Sequence, residues 1–434
     1  QFIQFDQQDQ MAILRTLSFW KFASPNLSVK EVEILRKNLL NVWKPLNVYG
    51  RIYVAGEGIN AQVSVPARSL APFYRTIRSE PFLEDISLNI EPTIHYNVPI
   101  DSIFHRLGVK TRNQIITDTS NSDSTLSYLD LKNAGEEIEP MKWHNMVKHA
   151  TNDDTIILDC RNEYEQNVGI FKGSKPLTVS KYSESFKLLD MMEPELKGKK
   201  NVLIYCTGGI RCIKIGAYMK QKLNVDNVGM LKGGINAYSK FLKKSDENSM
   251  FLGSNFVFDN RIGVLVGDSP VSNCIRCNKE TIVQQNCSNP CCNRLIVICD
   301  SCNKKEQGTC SEECKEYHEL DDEKQKQIRK ECGSIVSNTE NFDCRKDRYP
   351  IYKNVLSQYQ KRCYCTVKLN NFHAMDVVEQ TSNLFEYAFQ NSIELPEILN
   401  DIESKTKENF PSVAHNMCGK HIAQYLSFLV KTNK

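Results

Sequence analysis

The sequence predicts a multidomain α/β protein with four successive parts. Strand and helix patterns follow the order β-α-β-β-α-β in the first hundred residues, then alternate one by one after about residue 140. Cysteines cluster between 274 and 314, and helical patterns alone follow them. We therefore expect an α+β domain, a parallel α/β domain, a small metal-binding module and an α-helical region. The chain of 434 residues is long enough for two to four domains.

The N-terminal pattern predicts two helices packed on an antiparallel sheet. Ser28 is a suitable N-cap, and Glu31 stands at the capping-box position, so a helix should run to about Trp43. Pro66 should open a second helix that ends near Ser79. Strand patterns occupy residues 18–23, 48–54, 59–65 and 86–90. Their order with the two helices is typical of the ferredoxin-like fold.

The charge balance does not by itself indicate a nucleic-acid partner. Lys and Arg number 55 against 52 Asp and Glu, which gives a net charge of +3. Any RNA contact must therefore come from local basic patches. Lys110 and Arg112, in an extended segment, are candidate phosphate ligands, although a solvated basic strand fits them equally well.

The cysteine content indicates the kind of cellular compartment in which the protein is expected. Seventeen cysteines at metal-like spacings favour a reducing compartment over a disulfide scaffold, so we expect a cytoplasmic protein. Residue 1 is Gln, so the true start is absent and an organellar targeting peptide could have been removed. No apolar run approaches the ~20 residues that a membrane span requires, and the sequence does not indicate an oligomeric state.

A reactive-thiol loop is the principal candidate site. The segment C-T-G-G-I-R-C at 206–212 follows an apolar run at 202–205 that predicts a buried strand. Reactive residues of parallel α/β folds lie at the carboxyl ends of strands, which is the position of Cys206. A helix N-terminus and Arg211 would favour the nucleophilic thiolate. The alternative is a small buried cysteine in an ordinary strand-to-helix turn. We expect the loop amides to stabilise a charge on sulfur, namely those of Thr207, Gly208, Gly209, Ile210 and Arg211.

Several motifs in this region resemble the rhodanese domain. They are an Asp-x-Arg…Glu element, a Cys-to-Arg loop of six residues and a Gly-Gly-Ile element after the next strand. The resemblance is closer to one branch, the tRNA uridine hydroxylases that modify the wobble position. The motifs shared with that branch are E-G-I-N at 57–60, R-N-x-Y-E at 161–165, C-T-G-G-I-R-C at 206–212 and F-V-F-D-x-R at 256–261. The resemblance covers roughly residues 18–316, and Ile213 departs from the Glu that is usual after the second loop cysteine.

The resemblance implies a function and a division of the chain. It implies oxygen-dependent hydroxylation at carbon 5 of the wobble uridine, with molecular oxygen as co-substrate and the tRNA anticodon loop as partner. The expected parts are a ferredoxin-like domain at 1–116, a linker at 117–139, a rhodanese-like catalytic domain at 140–262, a cysteine-rich zinc-binding module at 263–316 and a helical extension at 317–434.

Roles for individual residues follow from the same resemblance. Cys206 would be the nucleophile, with a persulfide as one form of it, and Arg211 would hold the loop in shape. Asp159 and Arg161 would be scaffold for the loop. Cys212 is either a second thiol within reach or a packed start to the helix. Two alternatives stay open: a sulfurtransferase that passes sulfane sulfur through a Cys206 persulfide, and an RNA-binding protein without enzymatic activity.

The cysteine-rich segment predicts about two structural zinc ions. Two C-x2-C knuckles with further cysteines suit tetrahedral thiolate coordination. The family spacing favours Cys292 over Cys291 as a ligand. The eight expected ligands are Cys274, Cys277, Cys287, Cys292, Cys299, Cys302, Cys310 and Cys314. Sequential and interleaved pairings both fit the spacing, and free or disulfide-bonded cysteines are the alternative.

The remaining sequence predicts helices without an assigned chemistry. Their patterns cover 320–332, 349–366, 375–391, 396–406 and 413–431. The irregular spacing of the cysteines and histidines after residue 360 favours core positions over a further metal site. We expect an added docking or substrate-binding module.

Overall fold

A computed structural model describes residues 11–118, 126, 129–267, 269–339 and 347–358. The helices predicted after residue 358, and the cysteines and histidines among them, lie outside the described residues. The chain divides into two compact units. The first unit comprises Gln1–Gln285 with Ile296–Lys304, and the second comprises Asn286–Leu295 with Lys305–Lys434.

The first unit opens with the predicted ferredoxin-like domain. Its elements are β1 (Met11–Phe22), α1 (Val29–Trp43), β2 (Tyr49–Ala55), β3 (Gly58–Pro66), α2 (Leu70–Ser79), β4 (Asn89–Pro99) and β5 (Leu107–Thr111). The sheet order is β4-β1-β3-β2-β5, with β5 parallel to β2 and the other pairs antiparallel. The fold prediction is confirmed, and β5 is an additional fifth strand.

Local sequence signals predicted the start of α1 correctly and the start of the last strand incorrectly. Ser28 and Glu31 form both hydrogen bonds of the predicted capping box. The predicted strand at 86–90 begins instead at Asn89, because Ile86 is a buried turn residue whose N–H donates to the Leu83 carbonyl. Ile86 is apolar because it packs in the core, and its apolar side chain extended the predicted strand pattern to this residue.

Alternation along the strands divides this sheet into two faces. Leu17, Phe19, Ile52, Val54 and Val63 lie in one buried cluster with residues of α1 and α2. Successive strand residues point to opposite faces, so their neighbours lie on the face away from the helices. That second face is called the open face below. The main core of the domain therefore lies on one side of the sheet, and two smaller buried clusters, around Leu14 and around Ala55, lie on the other side.

The next domain is a parallel α/β sandwich, as predicted. Its sheet order is β6-β11-β10-β7-β9, and every pair is parallel. The elements are β6 (Glu136–Ile138), α3 (Pro140–Lys148), β7 (Thr155–Asp159), α4 (Glu163–Gln166), β8 (Gly169–Phe171), β9 (Lys175–Pro176), α5 (Ser185–Lys197), β10 (Asn201–Tyr205), α6 (Ile210–Gln221), β11 (Val228–Leu231) and α7 (Gly234–Leu242).

Helices cover both faces of this sheet. Leu158 and Ile204 pack in one buried cluster with α5 and α6. Their neighbours Ile157 and Leu203 pack in another with α3 and α7. Burial on both faces explains the continuous apolar runs of these strands. Strand β6 belongs to this sheet although it falls in the predicted linker, because two exposed glutamates out of three residues gave it no apolar pattern.

Short elements complete the described chain. β12 (Phe251–Phe256) pairs antiparallel with β8 and with β13 (Gly263–Leu265). The cysteine-rich segment carries β14 (Gln284–Asn286), β15 (Leu295–Val297) and α8 (Asp300–Lys305). The charged helix predicted at 320–332 is α10 (Asp322–Asn338), preceded by α9 (Glu312–Glu319), and residues 348–358 are also helical. No helix in the described part of the chain has the length and apolar character required to cross a bilayer.

Candidate active site

The Cys206 loop connects β10 to α6. Gly209, with a φ of 94°, is the N-cap of α6, and this left-handed conformation favours glycine. Its N–H donates to Cys206 Sγ at 3.1 Å. The side chain of Cys206 is fully buried. The sulfur therefore lies at the carboxyl end of a central parallel strand and at the start of a helix, where the sequence placed it.

Three successive loop carbonyls are held on the outside of the turn. The N–H of Ile235 donates to the Cys206 carbonyl at 3.0 Å, and the N–H of Asn236 donates to the Thr207 carbonyl at 3.1 Å. The Gly208 carbonyl accepts from Trp20 Nε1 at 2.8 Å. Because the C=O and N–H of a trans peptide point in opposite directions, the following amides turn inward. The loop thus forms a cradle of N–H groups on the side of the sulfur.

This cradle requires a close approach of α7. A Cβ on Gly234 would lie 2.5 Å from the Cys206 carbonyl oxygen, and the φ of Gly234 is +63°. A side chain there would displace the start of α7 from the loop. The Gly-Gly-Ile element of the sequence is therefore explained by its contact with the reactive loop.

The electrostatics of the loop favour a thiolate at Cys206. Burial opposes ionisation, but a hydrogen bond from the Cys212 thiol, the charge of Arg211, and the amides of Arg211 and Cys212 outweigh it. Together they lower the pKa of Cys206 from 9.0 to about 5. A thiolate is the nucleophilic form of cysteine. The site therefore holds an activated sulfur at neutral pH.

Arg211 is fixed by a carboxylate that sequence reasoning did not select. Its guanidinium binds both oxygens of Glu165, at 2.6 and 2.7 Å, in a bidentate ion pair. Thr207 Oγ1 donates to Glu165 at 3.0 Å and accepts from Arg211 at 3.1 Å. Glu165 is fully buried, and the two arginines Arg211 and Arg161 overcome the burial penalty and lower its pKa. Its place in the R-N-x-Y-E motif was the available signal.

Asp159 and Arg161 form a second buried ion pair below the loop. Arg161 Nε lies 2.9 Å from Asp159 Oδ1, and Arg161 Nη2 lies 2.6 Å from Oδ2. The Tyr205 hydroxyl donates to the same carboxylate at 2.8 Å. These groups tie the ends of β7 and β10 together, which is the position that a scaffold role requires.

Cys212 lies beside two other thiols. It is fully buried in the cluster that also contains Cys160 and Cys206. Burial and hydrogen bonds with both thiols raise the pKa of Cys212 well above its usual value. The structure thus makes Cys212 both a packed helix residue and a hydrogen-bond partner of Cys206. Cys160 is the thiol that the sequence did not single out.

Lys214 of α6 joins this helix to the N-terminal domain. The residue is buried, and its ammonium pairs with Glu57 at 2.7 Å and with Asp118 at 2.5 Å. Glu57 also accepts from the N–H of Ile115 at 2.7 Å. The E-G-I-N motif therefore lies at the junction of the two domains. Asp118 is a buried member of this junction although it falls in the predicted linker.

We expect Lys214→Met to destabilise the first unit strongly. Removing one member of a buried ion pair leaves uncompensated charge and costs about 3–5 kcal/mol of unfolding free energy. Here two carboxylates would lose their common partner. Urea unfolding measures the loss, with Lys220→Met, a half-exposed position on the same helix, as the matched control. Equal stability of the two variants would show that water or protonation satisfies the carboxylates.

The predicted RNA-contacting residues lie apart from the Cys206 loop. Lys110 is an exposed residue of β5, and Arg112 follows that strand, also exposed. The guanidinium of Arg112 lies 5.3 Å from the centre of the Tyr53 ring. Both residues continue the open face at the edge that is farthest from β4.

The eight predicted metal ligands form two groups of four thiols. Within each group the sulfurs lie within 4.8 Å of one another. Sulfur separations of 3.7 Å for Cys277–Cys299 and 3.5 Å for Cys310–Cys314 are typical of a tetrahedron around one ion, where about 3.8 Å is expected. The pairing is interleaved: one group is Cys274, Cys277, Cys299 and Cys302, and the other is Cys287, Cys292, Cys310 and Cys314.

Each group lies within one compact unit. The first belongs to the first unit and the second belongs to the second unit. Cys291, the alternative ligand in the sequence, is outside both groups and hydrogen-bonds Cys332 of α10 instead. Both groups have the donor set of a closed metal site, with four thiols and no open position.

Comparisons with known proteins agree with this architecture. Three family profiles match: a UPF0176 acylphosphatase-like domain at residues 14–115, a rhodanese-like domain at 143–241 and a rhodanese C-terminal region at 252–315. A tRNA uridine(34) hydroxylase of Leptospira interrogans is 35% identical over 318 residues, which are 73% of this chain and 81% of the relative. One from Yersinia pestis is 33% identical over 316 residues, covering 72% and 84%. The chain belongs to the tRNA uridine(34) hydroxylase family.

Proposed function

We propose that this protein hydroxylates carbon 5 of the wobble uridine of tRNA, with molecular oxygen as co-substrate and Cys206 as nucleophile. Two of its relatives are named tRNA uridine(34) hydroxylase, which supports hydroxylation of the wobble uridine. The observation that carries the assignment to Cys206 is its sulfur, held 3.1 Å from the Gly209 amide beside the Arg211–Glu165 pair. Ionisation of that thiol supplies a nucleophile at neutral pH.

The surrounding residues would prepare the loop for a base. A wobble base must leave its stack in the anticodon loop to reach an enzyme site. An added Cβ on Gly208 would meet no atom within 4 Å, so the loop is open at this residue. Thr207 and Arg211, held by Glu165, would keep the amides directed at the sulfur while the base enters. One atom of molecular oxygen would enter the C–H bond at carbon 5 as a hydroxyl, and the other would leave as water with two electrons and two protons from an external reductant.

The complete burial of Cys206 supports the sulfurtransferase alternative, because a buried sulfur is hard for an entering base to reach. A persulfide would carry a second sulfur about 2.05 Å beyond Sγ, closer to an entering base. Nucleosides from the tRNA of cells with and without this chain, analysed by mass spectrometry, separate the two functions. Loss of a uridine with one extra oxygen supports hydroxylation, whereas loss of a thiolated nucleoside supports sulfur transfer. Reaction under ¹⁸O₂ and in H₂¹⁸O would identify the source of the oxygen.

We also propose that both thiol groups hold zinc in structural sites. Four cysteine thiolates are the preferred ligands of structural Zn²⁺, and a closed site leaves no position for substrate. Each ion would join two chain segments that are separated in the sequence by two cysteines of the other group. The metal would thus stabilise the fold and leave the chemistry to Cys206.

Lys110 and Arg112 are proposed phosphate contacts. We expect Lys110→Ala with Arg112→Ala to weaken binding of an anticodon stem-loop RNA. The slope of log affinity against log salt should fall by about two, since each lost phosphate contact lowers it by about one. Fluorescence anisotropy over a range of KCl concentrations measures both effects. The control replaces Lys30 and Lys37, which are exposed on α1 on the other side of the sheet. An unchanged slope in the first variant would mean a merely solvated strand.

A further inference from the structure

We propose that the open face of the N-terminal sheet binds the anticodon nucleotides next to the wobble uridine, with Tyr53 and Arg112 as the stacking surface for one of those bases. This inference rests on the proposed function, because it takes the anticodon loop as the substrate. It adds a binding site with a named chemistry, which is base stacking combined with phosphate contacts.

The strand register places the required residues in one row. Trp20 of β1 pairs with Asn60 of β3, which pairs with Tyr53 of β2, which pairs with Lys110 of β5. Directly paired residues point to the same face of a sheet. The row therefore crosses four strands on the open face. A second row runs beside it and contains Ser18, Gln62, Arg51 and Gly108.

The chemistry of these rows suits single-stranded RNA. Arg51 and Lys110 are exposed, and Trp20 and Tyr53 are partly exposed, so rings and cations are accessible on one surface. The Arg112 guanidinium lies over the Tyr53 ring, 5.3 Å from the ring centre. RNA-binding proteins stack unpaired bases on aromatic rings and on arginine guanidinium planes. Asn60 and Gln62 add side-chain amides that can hydrogen-bond base edges.

The charge of the face also fits a polyanion. Among the described residues that β1, β2, β3 and β5 direct to this face, none is acidic. Glu91 of β4 reaches the face at its opposite edge, where it accepts from Thr16 at 2.7 Å and pairs with Arg261. The basic edge formed by β5 thus carries uncompensated positive charge. An acidic protein partner would use such charge equally, but it would not require stacking on Tyr53.

The first row begins at the reactive loop itself. The indole N–H of Trp20 donates to the Gly208 carbonyl at 2.8 Å, and the next residue, Gly209, donates its N–H to Cys206 Sγ. Strand spacing places Tyr53 about 10 Å from Trp20, since two strand intervals separate them. A wobble base at the loop would therefore have its neighbouring nucleotides over Tyr53. Trp20 is a positioning residue in this arrangement, because it touches the loop and borders the RNA surface.

The open face is accessible at Arg51, Tyr53 and Lys110 and is covered towards its ends. The buried strand residues of the core lie on the opposite side, with α1 and α2. Ile103 and Phe104 cover one end of the face, around Leu14. Ile115 covers the other end, around Ala55 and Trp20, and its carbonyl accepts from Asn60 Nδ2 at 3.2 Å. Packing accounts for Trp20, but it does not explain why Arg51, Tyr53 and Lys110 are accessible between the two covered ends.

The test is a stacking measurement with the full chain. Anticodon stem-loop RNAs carry 2-aminopurine on the 5′ or the 3′ side of the wobble uridine, and its fluorescence falls on stacking. We expect quenching by the unaltered protein and by Tyr53→Phe, which keeps the ring. Tyr53→Ala should lose the quenching and bind about 5- to 100-fold more weakly. Tyr96→Ala, which removes the 66 % exposed tyrosine of β4, is the matched control and should behave as the unaltered protein.

The outcomes separate this inference from the proposed function. If Tyr53→Ala quenches and binds as the unaltered protein does, the open face is not the RNA surface, even if uridine is hydroxylated normally. If the unaltered protein forms no oxygenated uridine, the proposed function fails, while the quenching still reports on the face. Circular dichroism and urea unfolding of Tyr53→Ala establish that a loss of binding is not a loss of fold.

Discussion

Cys206→Ser is expected to reduce the hydroxylated uridine to below detection while the protein stays folded and binds tRNA. Serine is nearly isosteric with cysteine, so the packing around the buried position should hardly change. A hydroxyl is far less acidic than a thiol, and the loop cannot convert it into an anion near neutral pH. Modified-nucleoside yield at matched protein levels measures the effect. Full activity of this variant would overturn the proposed mechanism.

The pH dependence of the same site gives an independent expectation. With a Cys206 pKa of about 5, the thiolate persists down to weakly acid pH, and activity should fall as the pH drops through about 5. Because folding lowers this pKa, the ionisation contributes stability above the unfolded pKa near 9.0, and that contribution is lost progressively as the pH falls toward 5. Cys206→Ser should remove this part of the stability profile.

Two further variants distinguish one-thiol from two-thiol chemistry. In Cys212→Ser the hydroxyl can still donate to the Cys206 sulfur, so a packing and hydrogen-bonding role predicts a mild loss of activity. Glu165→Gln should cost more, because it removes the charge that holds Arg211 in its bidentate pair. Equal losses in Cys206→Ser and Cys212→Ser would instead indicate that both thiols take part.

The sequence predicted correctly those features that depend only on residues close together in the chain. The strand at 155–159 was predicted with its observed bounds, because strands buried on both faces are continuous apolar runs. The position of Cys206 followed from the same logic, since its strand ends at Tyr205 and its helix begins at Ile210. The capping box of α1 is equally local. None of these three predictions required knowledge of a distant contact.

Partners distant in sequence could not be predicted in this way. Trp20 contacts a loop 188 residues away, and Lys214 pairs with a carboxylate 157 residues before it. Nothing in the composition around Trp20 or Glu165 indicates which group each will meet. Likewise, knuckle spacing fixes which cysteines share a turn, whereas the interleaved pairing depends on how Cys274 and Cys299 are brought together by the fold.

Cys292→Ser is expected to remove one metal ion per chain and to unfold its site, while Cys291→Ser retains both ions. The two residues are adjacent and both buried, but only Cys292 belongs to a group of four thiols. Structural zinc contributes an apparent 10–16 kcal/mol in small metal-binding peptides, which is comparable to the whole stability of a domain, about 5–15 kcal/mol. A site with three thiolates should therefore not hold its fold at neutral pH in the presence of a chelator.

Metal content and local unfolding can be measured on the same preparations. Protein purified without chelator and analysed by inductively coupled plasma mass spectrometry should contain about two zinc ions per chain, with about one in Cys292→Ser. Limited proteolysis should cut Cys292→Ser within 286–314 and leave Cys291→Ser intact. Two ions in both variants would mean that Cys292 is not a ligand. An unaltered protein without metal, with these thiols in disulfides, would refute the zinc assignment altogether, because closed groups of four thiols would then be held by covalent bonds.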